Sequence, residues 1–218
     1  MSTHTSMVVV PLMALLLLLS LRATLGQTAP DSGMDTKLKD TIVRVHNNYR
    51  TMVKASNMLG LRWSDYLETK AADWVSKCDF KHQADPQWGE NIYRSEFDRP
   101  VTSIVFTGMA SWNLERSFMG ITSCCDAIVN STLCCNYQQT VWSQTRDVGC
   151  ALKKCPSLTA TDKKYDNAWF FACYYSPRGN VAGVSPFKKG TPCADCPYTY
   201  DQCKKGLCYP SKFCKGDL

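Results

Sequence analysis

Histidine is scarce. The 218 residues hold three, and only His46 and His82 lie beyond the first 26 positions. Imidazole is the side chain best suited to zinc ligation and to proton transfer near neutral pH, so both chemistries have little to draw on. No GxSxG or HExxH occurs, which removes the serine-hydrolase elbow and the two-histidine zinc helix. Charge of either sign is also limited. The net of +6 comes with no zinc-finger spacing and no nucleic-acid motif, so no nucleic-acid partner is expected. Beyond one run near the start, no apolar stretch is long enough to span a bilayer, and no transmembrane segment is expected. With 44% apolar and 20% charged residues, the chain is neither disordered nor collagen-like.

What is abundant is cysteine, with thirteen. That many indicates an oxidising compartment. Met7 to Leu21 is an apolar run of about 15 residues, short of the roughly 20 that a spanning helix needs. It has the length of a signal-peptide core, although no Lys or Arg precedes it. Thr24 and Gly26 are small residues placed for cleavage before Gln27. Residues 1–26 are therefore expected to be a signal peptide and the remainder a secreted, extracellular protein. The sequon Asn130-Ser131-Thr132 makes Asn130 a glycosylation candidate.

Residues 27–34 are polar and read as a loose lead-in. From Asp35 to Val53, Leu38, Ile42, Val45, Tyr49 and Val53 recur at helical spacing, with Asp35 or Thr36 as N-cap. Leu61–Phe80 and Thr102–Phe118 predict two more amphipathic helices. The rhythm then changes. Residues 138–142, 148–152 and 168–175 are short aromatic or β-branched runs that predict strands. Helices followed by strands imply an α+β fold, with helices layered on an antiparallel sheet. Residues 35–185 form the expected domain. Residues 186–218 carry little apolar content and are expected to be held by disulfides.

Six segments in order resemble the CAP superfamily of cysteine-rich secretory, antigen 5 and pathogenesis-related proteins. His46-Asn47-x-x-Arg50 is similar to its opening helix, Met58-Leu-Gly-Leu-Arg-Trp63 to the turn that follows, and Gly89-Glu-Asn-Ile-Tyr93 to its GENIY box. Trp112-x-x-Glu115 fits its WxxE helix. Asn136-Tyr137-Gln138-Gln139-Thr140-Val141-Trp142 is a variant of its HYTQVVW strand, and Phe171–Asn180 matches its closing strand and turn. Glioma pathogenesis-related and venom-allergen-like proteins are the branches most resembled. The resemblance implies an α-β-α sandwich with helices on both faces of a mainly antiparallel sheet, followed by a short cysteine-rich hinge.

The resemblance also implies the disulfides Cys78–Cys155, Cys150–Cys173, Cys193–Cys203 and Cys196–Cys208. Cys124, Cys125, Cys134 and Cys135 remain as two adjacent pairs, for which cross-bonding is expected with the partners left open. Cys214 is then unpaired, so the protein is a monomer or a Cys214-linked dimer. In the family, two histidines and two glutamates line a cleft and bind a divalent metal in some members. The matching residues are His82, Glu90, Glu115 and Asn136. Asn136 stands where histidine is expected, and a carboxamide is a poor zinc ligand and no base. His82, Glu90 and Glu115 remain as a three-ligand metal set. Otherwise His82, Glu90 and Asn136 satisfy one another by hydrogen bonds.

Cysteine-protease chemistry needs a reduced thiol beside an imidazole, and nearly every cysteine here has a bonding partner. The resemblance implies a secreted, non-enzymatic protein that needs no cofactor and binds a lipid (sterol or fatty acid, the latter in a groove beside the opening helix, Leu38 to Val53) or an extracellular or cell-surface protein. The Lys-rich tail, with six lysines against three aspartates, offers a surface for an anionic glycan. The alternative is a metal-assisted hydrolase using His82, Glu90 and Glu115.

Overall fold

The computed structural model describes residues 32–84, 87–119 and 134–211. Residues 1–26, Asn130, Cys124, Cys125 and Cys214 lie outside the described residues. The first helix, α1 (Thr36–Met52), starts where the Asp35 carboxylate accepts from the Leu38 N–H at 2.7 Å. Its buried stripe is Leu38, Ile42, His46 and Arg50, one residue per turn. This differs from the expected stripe. Val45 and Tyr49 only flank the core, and two polar residues occupy its centre.

The second helix begins later than its apolar pattern predicts. Arg62–Trp63 form a short strand, β1, and Ser64 caps α2 (Asp65–Val75) by accepting from Leu67 N–H. Leu61 thus belongs to the turn before β1, and Tyr66 faces solvent. Strand β2 (Gly89–Ser95) carries the GENIY box. Helix α3 (Val101–Leu114) continues into a 3₁₀ turn at Glu115–Phe118.

A correction falls on residues 136–142. They were expected to be a strand but form a short helix, α4 (Cys135–Thr140). Gln138 and Val141 N–H donate to Cys134 and Tyr137 carbonyls at 2.9 and 3.0 Å. Periodicity cannot separate strand from buried helix over so short a run. Burial of Tyr137, Gln138, Gln139 and Thr140 on several sides decides for the helix.

The long hairpin β3 (Asp147–Ala160) and β4 (Lys163–Ser176) is the centre of a four-stranded sheet ordered β1-β3-β4-β2. Only the β1–β3 pair is parallel. Alternation sends Val148, Cys150, Leu152, Phe171, Cys173 and Tyr175 toward α1 and α3. It sends Ala151, Cys155, Ala168, Phe170, Ala172 and Tyr174 toward α2. The fold is therefore an α-β-α sandwich. Within the hairpin, Pro156 and Asn167 form no register pair, and Asn167 takes φ 51°. Beyond this break Leu158 and Tyr165 face the α2 layer, out of step with strict alternation. The outer hairpin is thereby turned toward the same side as β2's cleft.

Two segments are better anchored than their composition suggests. At the end of the lead-in, Ser32 is buried, its carbonyl accepts from Leu152 N–H at 2.8 Å, and its hydroxyl donates to Glu68. The lead-in is thus docked from Ser32 onward. In the tail, β5 (Gln202–Lys204) pairs with β6 (Leu207–Tyr209). Leu207 joins a core cluster with Ala55, Met58, Tyr137 and Val141. Cys208 exchanges backbone bonds with Met58 and Gly60. The tail is therefore sewn to the domain by hydrogen bonds and burial as well as by sulfur.

The disulfides are Cys78–Cys155, Cys150–Cys173, Cys193–Cys203 and Cys196–Cys208. Cys150 and Cys173 are directly opposite in the β3–β4 register, with Cα atoms 4.0 Å apart. Cys134 and Cys135 are also disulfide-bonded. No helix among the described residues is long and apolar enough to cross a membrane.

Candidate functional site

A polar network fixes the frame of the site. His46 Nδ1 lies 2.9 Å from the Ile42 carbonyl, which can only accept, so Nδ1 carries the proton. Burial lowers the ring's pKa to about 4, with the nearby Arg50 charge adding to the effect, so His46 is neutral at physiological pH. Its Nε2 therefore accepts from the Tyr175 hydroxyl at 2.9 Å. Burial raises the Tyr175 pKa, which keeps that phenol a donor. The phenol oxygen in turn accepts from Asn91 Nδ2 at 3.1 Å, and the same amide reaches the Asn136 carbonyl at 3.0 Å. The asparagine of the GENIY box thus ties β2 to α1, β4 and α4 together.

Arg50 is wholly buried and has no carboxylate partner among the described residues. Nε and Nη2 donate to Leu59 O, Nη1 to Thr140 O and Trp142 O, and Nη2 also to Ser143 O and Thr145 O. Five carbonyl dipoles thus replace an anion around the guanidinium. Burial lowers its pKa from 12.5 to about 9, which still leaves it charged. The turn from α4 into β3 is therefore cast around one side chain.

These scaffolds frame a cleft of about 1110 Å³. Its floor is β2, one wall is the 80–83 segment, and its ends are the β3–β4 hairpin tip and residues 178–180. Gly89 makes the approach of β2 to α4 possible, because a Cβ there would fall 2.0 Å from Gln139 Oε1. That oxygen accepts from Gly179 N–H at 2.8 Å, which fixes the far end. Trp88 stacks on Tyr174 at the cleft wall.

The four predicted site residues form two separate pairs. His82 Nδ1 meets Glu90 Oε1 at 2.6 Å, and Gln83 N–H adds a bond of 3.3 Å. His82 is 60% exposed and Glu90 only 5%. Asn136 Nδ2 donates to Glu115 Oε1 at 2.7 Å, and Tyr137 N–H donates to Oε2 at 3.0 Å. Burial raises the Glu115 pKa, and these donors partly offset it. The expected mutual pairing of His82, Glu90 and Asn136 is thus replaced. Asn136 turns to Glu115, and Asn136 Oδ1 and Glu90 Oε2 are buried with no hydrogen-bond partner among the described residues.

The metal reading requires His82, Glu90 and Glu115 donor atoms to converge. Among the described residues, only Cys193, Cys196 and Cys208 have three such atoms within 4.8 Å of one another, and these cysteines are oxidised. The Glu115 oxygens are already held by an amide and a backbone N–H. The donor atoms of His82, Glu90 and Glu115 do not converge to within 4.8 Å in this structure.

The sequence reads His46 as a packing contact of the opening helix, and it is one. Sequence reasoning missed the role of Arg50, although that residue continues the Leu38–Ile42–His46 spacing onto the buried face. It also missed Arg94, Lys163 and Tyr165, which line the hairpin end of the cleft. No motif marks them.

A family model described as "CAP: Cysteine-rich secretory protein family" matches residues 43–175. Mouse peptidase inhibitor 16 is 33% identical over 194 residues, covering 85% of this chain and 36% of its own length. The chain thus spans about a third of that relative. Human cysteine-rich secretory protein 2 is 34% identical over 220 residues, covering 90% of this chain and 83% of its own. Among solved structures, NaASP2 with Zn²⁺ superposes with a TM-score of 0.69 at 25% identity, covering 83% of this chain and all of its own. Na-ASP-1 superposes equally well at 24% identity, covering 84% of this chain and 50% of its own. The six sequence boxes, the three-layer sandwich and these likenesses agree, and the chain belongs to the CAP family of cysteine-rich secretory proteins.

Proposed function

We propose that this chain is a secreted, non-enzymatic binding module that engages an extracellular protein partner through the cleft above β2. The observation that carries the reading is the division of the would-be tetrad into two closed pairs, His82–Glu90 and Asn136–Glu115. Such pairs give a fixed polar floor, with no converged metal set and no thiol or hydroxyl nucleophile on the imidazole. An oxidising location is supported by the disulfides and by the secretory proteins among the relatives. The lipid alternative has less support. The helix face that would line a fatty-acid groove is used in the core, where Leu38 and Ile42 pack with Ile104, Val105 and Met109.

Native mass spectrometry of the secreted, deglycosylated protein, before and after solvent stripping, tests the reading. A bare polypeptide mass is expected. A strippable adduct of lipid size would replace the protein partner with a lipid. One divalent ion per chain, lost on His82→Ala, would reopen metal-assisted hydrolysis.

A further inference from the structure

The hairpin end of the cleft is chemically unlike its centre. Arg94, on β2, places its guanidinium carbon 3.9 Å from the Tyr165 ring centroid, and Lys163 places Nζ 4.5 Å from the same centroid. Phe80 backs the guanidinium at 5.8 Å. Two cations thus share one aromatic ring, and their charge centres lie within roughly 8 Å of each other by these distances. Counter-charge is thin. Arg94 reaches Glu96 only at 3.8 Å, and Lys163 has no carboxylate within 4 Å among the described residues. Lys81, on the neighbouring wall, is already paired with Asp79 at 2.6 Å. A planar fork and a mobile ammonium held over one ring suit a single carboxylate.

We infer that the Arg94–Lys163–Tyr165 end of the cleft is a subsite for one acidic side chain of an extended peptide. This rests on the cleft being the binding surface proposed above. A polyanionic glycan fits less well, because Glu90 and Asp162 lie among the cations of the same cleft and a run of sulfates would meet both signs. A peptide supplies one anion for this end and N–H donors for the polar floor. The break at Pro156 and Asn167 serves the site by turning Tyr165 toward β2.

The test is display selection of random 12-residue peptides on the disulfide-intact mature protein, followed by affinity measurement on Arg94→Gln, Lys163→Gln and His82→Trp. The first two remove charge at the subsite, and the third fills the centre from an exposed position. Selected peptides are expected to share an Asp or Glu at a fixed position. Each charge removal should weaken them about tenfold or more, the range of a charged hydrogen bond. Replacing the peptide's acid by its amide should cost as much against wild type and little against either charge variant.

Peptides blocked by His82→Trp but lacking an acidic position, and indifferent to Arg94→Gln and Lys163→Gln, would overturn the subsite and leave the cleft reading standing. Peptides that bind all three variants equally would overturn both. Failure to select any peptide, with Lys163-dependent binding of a heparin dodecasaccharide, would replace the peptide by a glycan.

Discussion

Arg50→Met is a stringent test of how the fold is held. The two side chains have similar length, so the change removes donors without opening a large cavity. It leaves five carbonyls, those of Leu59, Thr140, Trp142, Ser143 and Thr145, without the donor they share. Each buried acceptor that loses its partner costs about 1–3 kcal/mol. Trp142 O and Ser143 O keep backbone donors, Thr145 N–H and Leu59 N–H, each at 3.1 Å, so three acceptors lose their partner, and at the lower limit these come to about 3 kcal/mol. The offset is that no charge is any longer withdrawn from solvent, which returns several kcal/mol in principle. Three stranded acceptors at about 1–3 kcal/mol each, less the returned desolvation, leave an expected net loss of about 3–5 kcal/mol. Arg50→Lys should lose about 2–4 kcal/mol, because an ammonium has three donors and no fork. Urea unfolding with disulfides intact, followed by tryptophan fluorescence, measures both. Hydrogen exchange should show selective loss of protection at residues 58–60 and 140–146, where the carbonyls reside. A Met variant within 1 kcal/mol of wild type would refute the claim that these dipoles depend on the guanidinium.

His46 predicts acid sensitivity. Its folded pKa, about 4, lies below the 6.5 of a free imidazole. Its contribution is therefore complete above pH 6.5 and is lost as pH falls through 6.5 to 4, for a total of about 3 kcal/mol. His46→Gln should flatten that part of the stability–pH curve, and an unchanged slope would assign it to other groups. Gly149→Ala should cost several kcal/mol or prevent folding, because its Cβ would lie 2.2 Å from Glu68 N and 2.5 Å from Ser64 O, both backbone. Gly183→Ala, at φ 74° with nothing within 4 Å, should cost only about 1 kcal/mol, a contrast that thermal unfolding reads directly. Asn136→Leu removes the amide that supports the Glu115 anion and should cost about 1–3 kcal/mol at pH 7. The deficit should shrink as pH falls through the raised Glu115 pKa, since the protonated acid no longer needs that donor.

Much of the architecture was legible because it follows from periodicity and caps. α1 and α3 lie where apolar spacing put them, and Asp35 caps α1 as its position before the repeat suggested. The failures have physical causes. Residues 138–142 carry β-branched and aromatic side chains, yet form a helix because several of their faces are buried at once. Leu61 and Tyr66 fit a helical stripe by count, but Ser64 starts the helix between them. The tail looked too polar for a core because its main apolar contribution, Leu207, is buried by a loop about 150 positions earlier in the chain. Such long-range burial leaves no local pattern.

The residues that carry the family resemblance are largely those that build the frame. His46 and Arg50 are buried and bonded inward. Asn91 and Tyr175 link three elements to one another. Gly89 and Gly179 provide close backbone approach to Gln139. None of these six presents a free charge to the cleft. Arg94 and Lys163, which line the hairpin end of the cleft, fall outside the six boxes. A frame of this kind holds the cleft's shape through packing and neutral hydrogen bonds, which tolerate little change. Its rim can change charge by a single substitution at small cost in stability. Family membership therefore locates the cleft and says little about its ligand. Charge reversal at Lys163 should alter partner choice while leaving urea stability within about 0.5 kcal/mol of wild type, as expected for an exposed position with no salt bridge among the described residues. A larger loss of stability would place Lys163 in the frame, and the division between frame and rim would fail at the residue chosen to define it.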